Sequence, residues 1–132
     1  MPVHARTIDG LIHLVVDGDY TSEELRRVGA AAVDGAEQRP VSVFLDLSGA
    51  AGLGQKTPAD LRGTAAFFGA RRDRLGRVAI LAPTDVGYGL MRMGAAFGGA
   101  DGLDVQVFRT RAEALAWLEA APGRRAGAGQ GP

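Results

Sequence analysis

The chain alternates short apolar runs with longer segments in which apolar residues recur every three or four positions. This alternation of extended and amphipathic segments is typical of α/β proteins. The first two apolar runs are separated by Asp9-Gly10, a pair that favours a tight hairpin because both turn positions need a positive φ. The run at 41–47 is apolar on both faces, which suits a central strand covered by helices. The pattern predicts five strands: residues 3–8, 11–16, 41–47, 77–82 and 104–108.

Four amphipathic segments follow the hairpin, and each begins with a threonine that can cap the first helical turn. Thr21 with Glu24 and Thr110 with Glu113 also have the spacing of a capping box, in which the carboxylate returns to the backbone of the cap residue. The threonines that predict the helix starts are Thr21, Thr57, Thr84 and Thr110.

The order of the elements predicts one α/β domain. It is β-β-α-β-α-β-α-β-α, which implies a mostly parallel sheet that starts with an antiparallel hairpin and has helices packed on it. The central strand is expected to end at Ser48-Gly49 and to lead into a flexible stretch, residues 50–54. We expect the domain to occupy residues 1–121. The tail at 122–132 is expected to be disordered, because it has no apolar residue larger than alanine.

Length and residue types narrow the functional classes. A length of 132 residues fits one domain, and the absence of cysteine excludes disulfides and thiolate metal sites. The start of the chain lacks the pattern of a signal peptide, and no apolar stretch is long enough to span a bilayer. We therefore expect a cytoplasmic protein with no membrane span.

The charges balance, since fifteen basic and fifteen acidic side chains cancel. This balance argues against a nucleic-acid partner, because proteins that bind nucleic acids are normally basic. The basic residues are one lysine, Lys56, and fourteen arginines, a bias that we attribute to a GC-rich bacterial genome. A local basic cluster is either a patch for an acidic partner or phospholipid head groups, or the solvated end of a helix. It consists of Arg71, Arg72, Arg74 and Arg77 around Asp73.

The third predicted helix, residues 85–97, is apolar on nearly every side. Its apolar residues form two faces, one with Val86, Leu90, Met93 and Phe97 and another with Tyr88, Met91 and Ala95. A helix of this kind is buried or covers something. Three interpretations stay open: its glycines allow a close approach to the sheet, it forms a dimer or partner surface, or it is a lid over an apolar pocket.

Several shorter patterns contain reactive residue types but lack the rest of a motif. The Gly-x-Gly at 52–54 lacks the third glycine of a dinucleotide fingerprint and the Gly-Lys-Ser/Thr end of a P-loop. His4 and His13 have no third ligand at a metal-binding spacing. Ser48, His13 and Asp46 could form a triad, but Ser48 lacks the Gly-x-Ser-x-Gly elbow. We therefore expect no catalytic residues, no cofactor and no metal site.

Five segments carry a resemblance to a known family: residues 43–49, 77–81, 88–93, 107–109 and 113–118. The most specific is a strand that ends in Phe108 and leads to a helix containing Glu-Ala-Leu-Ala-Trp-Leu. In this order and spacing the segments resemble the STAS domain, typified by bacterial anti-sigma-factor antagonists. They are more similar to its SpoIIAA-like subgroup, which is STAS-like with a CRAL-TRIO lipid-transfer resemblance. The resemblance covers residues 3–121.

The resemblance implies a scaffold that binds a partner protein or a small apolar ligand, and not an enzyme. Antagonists of the family that are regulated by phosphorylation carry a serine in an Asp-Ser-Ser-Gly-Leu loop after the central strand. The corresponding residues here, 50–57, contain no serine. Thr57 carries the one side-chain hydroxyl in that segment. A phosphate would be favourable at a helix N-terminus, but the capping role already explains this threonine.

The leading hypothesis is a non-enzymatic domain that acts through association with a protein partner or a second copy. Its working surfaces would be the third helix and the loop at 48–57. The alternative is a carrier or sensor of a small apolar or lipid-like ligand beneath the helix 85–97, which needs a cavity of about 300 Å³ or more. The candidate residues for a partner or ligand surface are Ser48, Leu53, Thr57, Tyr88, Met91, Met93 and Phe97.

Overall fold

A computed structural model describes residues 2–121, and its elements follow the predicted order. They are β1 (Val3–Ile8), β2 (Leu11–Asp19), α1 (Ser22–Asp34), β3 (Val41–Ala51), α2 (Pro58–Gly69), β4 (Leu75–Leu81), α3 (Asp85–Ala100), β5 (Asp104–Phe108) and α4 (Arg111–Glu119). Short 3₁₀ turns precede α2 and β4, at Leu53–Gln55 and Arg72–Arg74. The tail predicted to be disordered, residues 122–132, lies outside the described residues.

The predicted hairpin opens the sheet. Asp9 and Gly10 both take a positive φ, 52° and 78°, and β1 pairs antiparallel with β2 from Ile8–Leu11 back to Val3–Val16. A two-residue turn of this kind matches the right-handed twist of the flanking strands, so the local sequence alone specifies the pairing. The hairpin prediction is confirmed.

The strands lie in the sheet in their sequence order, β1-β2-β3-β4-β5. The pairings of β2 with β3, β3 with β4 and β4 with β5 are all parallel. On one face α1, α2 and α3 pack through Leu25, Leu61 and Met91 on the apolar residues of the sheet. On the other face α4 covers Phe44 with Leu118. The predicted α/β fold class is confirmed.

The central strand is longer than predicted, because β3 continues through Ser48 to Ala51. The prediction that it ends at Ser48-Gly49 is wrong. Residues 49–51 pair in parallel with residues 17–19 of β2, which is also longer than predicted. The chain leaves the strand at Gly52, whose φ of 74° is in the left-handed region. The stretch predicted to be flexible, 50–54, is therefore the end of a strand followed by a 3₁₀ turn.

The helix starts are confirmed, but two of the capping contacts differ from the prediction. The Thr21 hydroxyl accepts from the Glu24 backbone as expected. The Glu24 carboxylate, however, accepts from the Val3 N–H at 3.4 Å and so joins α1 to β1. The Glu113 carboxylate accepts from the hydroxyl of Thr110 at 3.0 Å. The full reciprocal box forms at Thr57 of α2, where only a cap was predicted.

α3 lies close to the sheet because glycines occupy its inner side. It continues past Phe97, its predicted end, to Ala100. A Cβ atom added at Gly98 would lie 3.3 Å from both Leu103 and Val105. One added at Gly87 would lie 2.8 Å from the Thr84 Oγ1 that caps the helix and 3.1 Å from Leu53. Gly98, just beyond the predicted end of the helix, is therefore the glycine that permits a close approach to β5. Of the other glycines, Gly94 faces Leu61 of α2 at 3.7 Å, and Gly89 has no atom of the described residues within 4 Å of an added Cβ.

Two glycines of α3 should respond to alanine with opposite signs. Gly87→Ala is expected to lower the free energy of unfolding by about 1–2 kcal/mol, because the new methyl group displaces the capping hydroxyl and crowds Leu53. Gly89→Ala is expected to raise it by about 0.5–1 kcal/mol, since its Cβ meets no atom within 4 Å and alanine favours the helix. Urea denaturation measures both. Equal effects at the two positions would contradict the packing of α3.

Candidate functional site

α3 presents exposed apolar side chains to solvent on the side away from the sheet. Val86 is 61% exposed and Met93 is 39% exposed, whereas Met91 is only 5% exposed and faces the interior. We call Val86, Gly89 and Met93 the α3 patch. Two candidate residues only two positions apart, Met91 and Met93, therefore lie in different environments.

Arginine side chains border the α3 patch. The guanidinium of Arg62 lies 4.6 Å from the ring centre of Phe97, and that of Arg109 lies 5.3 Å from the ring centre of Tyr88. Arg92 lies 5.9 Å from the same tyrosine ring. The candidate residues Tyr88 and Phe97 are thus half-buried aromatic rings covered by cations, a contact that is favourable because the ring face is electron-rich.

Of the predicted loop at 48–57, residues 48–51 belong to β3, and the turn at 52–57 meets α3 beside the patch. A Cβ atom added at Gly54 would lie 3.4 Å from Val86 Cγ1, so Gly54 lies next to Val86. Leu53 is 8% exposed and packs in the core under α3. Thr57 is exposed, and its hydroxyl accepts from the Asp60 backbone N–H at 3.1 Å. The backbone and side-chain hydrogen bonds from Thr57 in turn lower the pKa of Asp60.

A buried carboxylate lies near the end of β3, on the α4 side of the sheet. Asp46 is 5% exposed. Its Oδ1 accepts from the hydroxyl of Ser48 at 2.6 Å, and its Oδ2 accepts from Arg111, the first residue of α4, also at 2.6 Å. Burial raises the pKa of Asp46, but the hydrogen bonds from Ser48 and Arg111 outweigh it and hold the pKa below its usual range. The candidate residue Ser48 is therefore part of a link between β3 and α4.

Ser48, His13 and Asp46 do not form a catalytic triad. The Ser48 hydroxyl donates to Asp46, so its proton is directed to the carboxylate and not to an imidazole. His13 lies opposite Phe44 in the sheet, with the two rings edge to face at 5.7 Å. This geometry does not activate Ser48 as a nucleophile.

A cavity of about 110 Å³ lies between the sheet and the helices α1, α2 and α3. Its lining is largely apolar and includes Met91, so this candidate residue faces a cavity and not the solvent. Four half-buried residues with polar groups also line it, and we call them the cavity rim: Tyr20, Ser22, Lys56 and Thr64. None of the four was singled out as a site residue from the sequence. The available signal was Lys56, the one lysine among fifteen basic side chains.

The predicted basic cluster makes specific contacts within the fold. Arg71 and Arg74 both bind Asp34, at 3.4 and 2.6 Å, and hydrogen bonds from the two arginines lower the pKa of Asp34. Arg77 donates to the carbonyl of Trp117 at 2.8 Å. These arginines join the end of α1 and the last helix to the rest of the domain.

Two further observations concern metals and membranes. Among the residues that the structure describes, no group of three or more His, Asp or Glu side chains is placed to hold a metal ion. None of the helices between residues 2 and 121 combines the length and apolarity needed to cross a bilayer.

Comparisons with known proteins give a family and a similar fold. The sequence model of the SpoIIAA-like family matches residues 11–119. No curated protein matches closely enough to count as a relative. Among solved structures, the fold is similar to that of an uncharacterized protein from the DUF3478 family with a SpoIIAA-like fold, from Shewanella loihica PV-4. The two chains are 16% identical, and the match covers 88% of this chain and 91% of that one with a TM-score of 0.57.

Proposed function

The chain belongs to the SpoIIAA-like family, and from that premise we propose that it is a non-enzymatic STAS-like domain that acts by binding another protein. The contact surface in this proposal is the α3 patch with the adjoining turn at 52–57. The role is regulatory, and the place of action is the cytoplasm of a bacterium. The partner is a different protein that presents acidic side chains around an apolar centre.

The exposure of Val86 and Met93 is the main observation that supports the proposal. Within residues 2–121, three large hydrophobic residues are exposed to solvent, and two of them, Val86 and Met93, lie on one helix. Gly89 lies between them, and no neighbouring atom of the described residues, 2–121, lies within 4 Å of an added Cβ at this position. An apolar area with a polar border is the usual anatomy of a protein contact.

The charge around the patch favours an acidic partner over a second copy. Arg62 and Arg92 are exposed at its border, and Arg109 is paired with Asp85 at 2.6 Å. Carboxylates on a partner would pair with these guanidinium groups and guide the two proteins together. In a symmetric dimer the same patch would face itself, so that arginines of the two copies would meet and repel each other.

Affinity capture with surface variants tests this proposal. From cells that express the protein, we expect the wild type to retain an acidic protein that Val86→Asp and Arg92→Glu each retain at least about tenfold less, because central and charge-paired contacts dominate interfaces. Ile8→Asp is the matched control, since Ile8 is 41% exposed but lies on the hairpin. The Ile8 variant should retain the partner as well as the wild type does. Equal retention by the wild type and Val86→Asp would reject the proposed surface.

Sedimentation velocity separates a partner protein from a second copy. The purified wild-type protein is expected to be a monomer at micromolar concentration. A dimer that Val86→Asp converts to a monomer would assign the α3 patch to self-association and would contradict the acidic partner.

A second candidate function, a carrier or sensor of a small apolar ligand, is supported by the cavity beneath α3. Its volume of 110 Å³ is well below the roughly 300 Å³ at which ordinary ligand pockets begin. The cavity is therefore smaller than the carrier predicted from the sequence requires, and it does not support a lipid-like ligand. Its volume leaves room only for a smaller ligand. A cavity of about 150 Å³ is large enough to bind benzene. This candidate requires that a small uncharged molecule reach Met91 in solution. Titration with 1-butanol tests this requirement, and the methyl NMR signal of Met91 is expected to shift as the alcohol binds.

A further inference from the structure

The cavity rim combines a cation with an aromatic ring at the edge of an apolar space. The Lys56 Nζ donates to the backbone carbonyl of Tyr20 at 2.9 Å and lies 4.0 Å from the centre of the Tyr20 ring. An ammonium group has three donors, so this hydrogen bond leaves two for another acceptor. Burial raises the pKa of Tyr20 to about 12, with a smaller contribution from Asp60. The tyrosine hydroxyl is therefore neutral at physiological pH and supplies no competing negative charge.

Lys56 is the one charged residue of the cavity rim, and two other charged groups lie close to rim residues. Arg26 donates to the hydroxyl of Thr64 at 3.3 Å, which brings a second cation to the rim. The carboxylate of Asp60 lies close to Lys56 and Arg26. The hydrogen bonds from Thr57 lower the pKa of Asp60 most strongly, and both cations lower this pKa further. Its Oδ2 already accepts from the Thr57 N–H at 3.0 Å. Arg26 and Asp60 carry opposite charges, so among these three groups the ammonium of Lys56 supplies the net positive charge.

We propose that the cavity binds a short-chain monocarboxylic acid, with the carboxylate paired to Lys56 and the alkyl tail beside Met91. The proposal rests on the second candidate function above and names its ligand class. The single positive charge of Lys56, the one charged residue lining the cavity, matches the single negative charge of a monocarboxylate. A phosphate monoester carries nearly two negative charges at neutral pH and would leave one uncompensated.

The cavity volume limits the length of the tail. Benzene, with six carbon atoms, binds in a cavity of about 150 Å³. In proportion, the cavity of about 110 Å³ holds about four carbon atoms. Butyrate fills this space with its carboxylate at the rim, whereas the tail of octanoate is too long for it.

Methionine methyl NMR of the full-length protein tests the proposal, because Met91 faces the cavity and Met93 is exposed. Titration with butyrate should shift the Met91 methyl signal saturably and leave the Met93 signal unchanged. Lys56→Gln should weaken butyrate binding about tenfold, the value of a charge-assisted hydrogen bond, and should leave binding of 1-butanol unchanged. Lys56→Arg should retain butyrate binding. Arg27→Gln removes the same charge from an exposed position on α1 and should change neither affinity.

The outcomes separate the two claims. If neither butyrate nor 1-butanol shifts the Met91 signal, the cavity is closed to ligands, and both the carrier function and the carboxylate proposal fail. If 1-butanol binds and Lys56→Gln leaves butyrate binding unchanged, the carrier function stands and the carboxylate proposal is wrong. Tighter binding of octanoate than of butyrate would overturn the size limit.

Discussion

Replacing Met91 with aspartate is expected to unfold the domain or to lower its free energy of unfolding by about 4 kcal/mol or more. Met91 is 5% exposed and packs in the main core cluster. A carboxylate at this position would lose its hydration among apolar side chains. Domains of this size are stabilised by only about 5–15 kcal/mol in total, so the loss is close to the whole stability.

Met93→Asp is the matched control, two residues along the same helix. Met93 is 39% exposed, and its replacement should change the free energy of unfolding by no more than about 0.5 kcal/mol. Urea denaturation followed by circular dichroism measures both variants. If Met91→Asp retained wild-type stability, Met91 would be a surface residue and the packing of α3 on the sheet described above would be wrong.

Replacing Arg111 with methionine is expected to lower the free energy of unfolding by about 2 kcal/mol at neutral pH. The side chain of Asp46 is 7% exposed, and that of Arg111 is 53% exposed. Removal of one partner from a fully buried ion pair costs about 3–5 kcal/mol, and the exposure of Arg111 reduces that value. The Asp46 carboxylate would remain buried with Ser48 as its donor, which accounts for the loss.

The stability difference between the wild type and Arg111→Met should depend on pH in a defined direction. Because folding lowers the pKa of Asp46, its contribution to stability is complete above the ordinary aspartate pKa of about 3.9. That contribution is lost as the pH falls through the lowered, folded-state pKa. The difference between the wild type and Arg111→Met should therefore be largest near pH 7 and should narrow as the pH falls below about 4. A difference that widens in acid would contradict the role of Asp46.

Arg109→Met is the control for Arg111→Met. Arg109 binds Asp85 at the same distance, 2.6 Å, but the Asp85 side chain is 90% exposed. An exposed pair contributes little, so the loss should be about 0.5 kcal/mol or less. If Arg109→Met and Arg111→Met lowered the free energy of unfolding equally, the burial of Asp46 would not be the cause of the loss in Arg111→Met.

The order and type of the elements were predictable because each depends on local signals. The Asp9-Gly10 turn and the threonine caps act within a few residues, and the structure confirms them. The length of β3 was not predictable in this way. Its last residues, Gly49-Ala50-Ala51, are small and have little strand preference, and their extended form depends on pairing with residues 17–19 of β2.

The arrangement of α3 and the cavity rim depends on non-local packing. Hydropathy grouped Val86 with Phe97 and Tyr88 with Met91, but the buried side of the helix is centred on Gly87, Met91 and Gly98. Glycine has no side chain and gives no hydropathy signal, so the pattern could not show which side faces the sheet. Tyr20 and Lys56 are 36 residues apart, and only the parallel crossover brings them together.

A photo-crosslinking residue placed at position 93 tests the central claim, binding of another protein through α3, most directly. In cells that express the variant, illumination should yield one discrete product whose added mass differs from that of a second copy of the chain. The same residue placed at position 8, on the hairpin, should yield no such product. An identical set of products from both positions, or an added mass equal to that of the chain itself, would contradict the proposed partner surface.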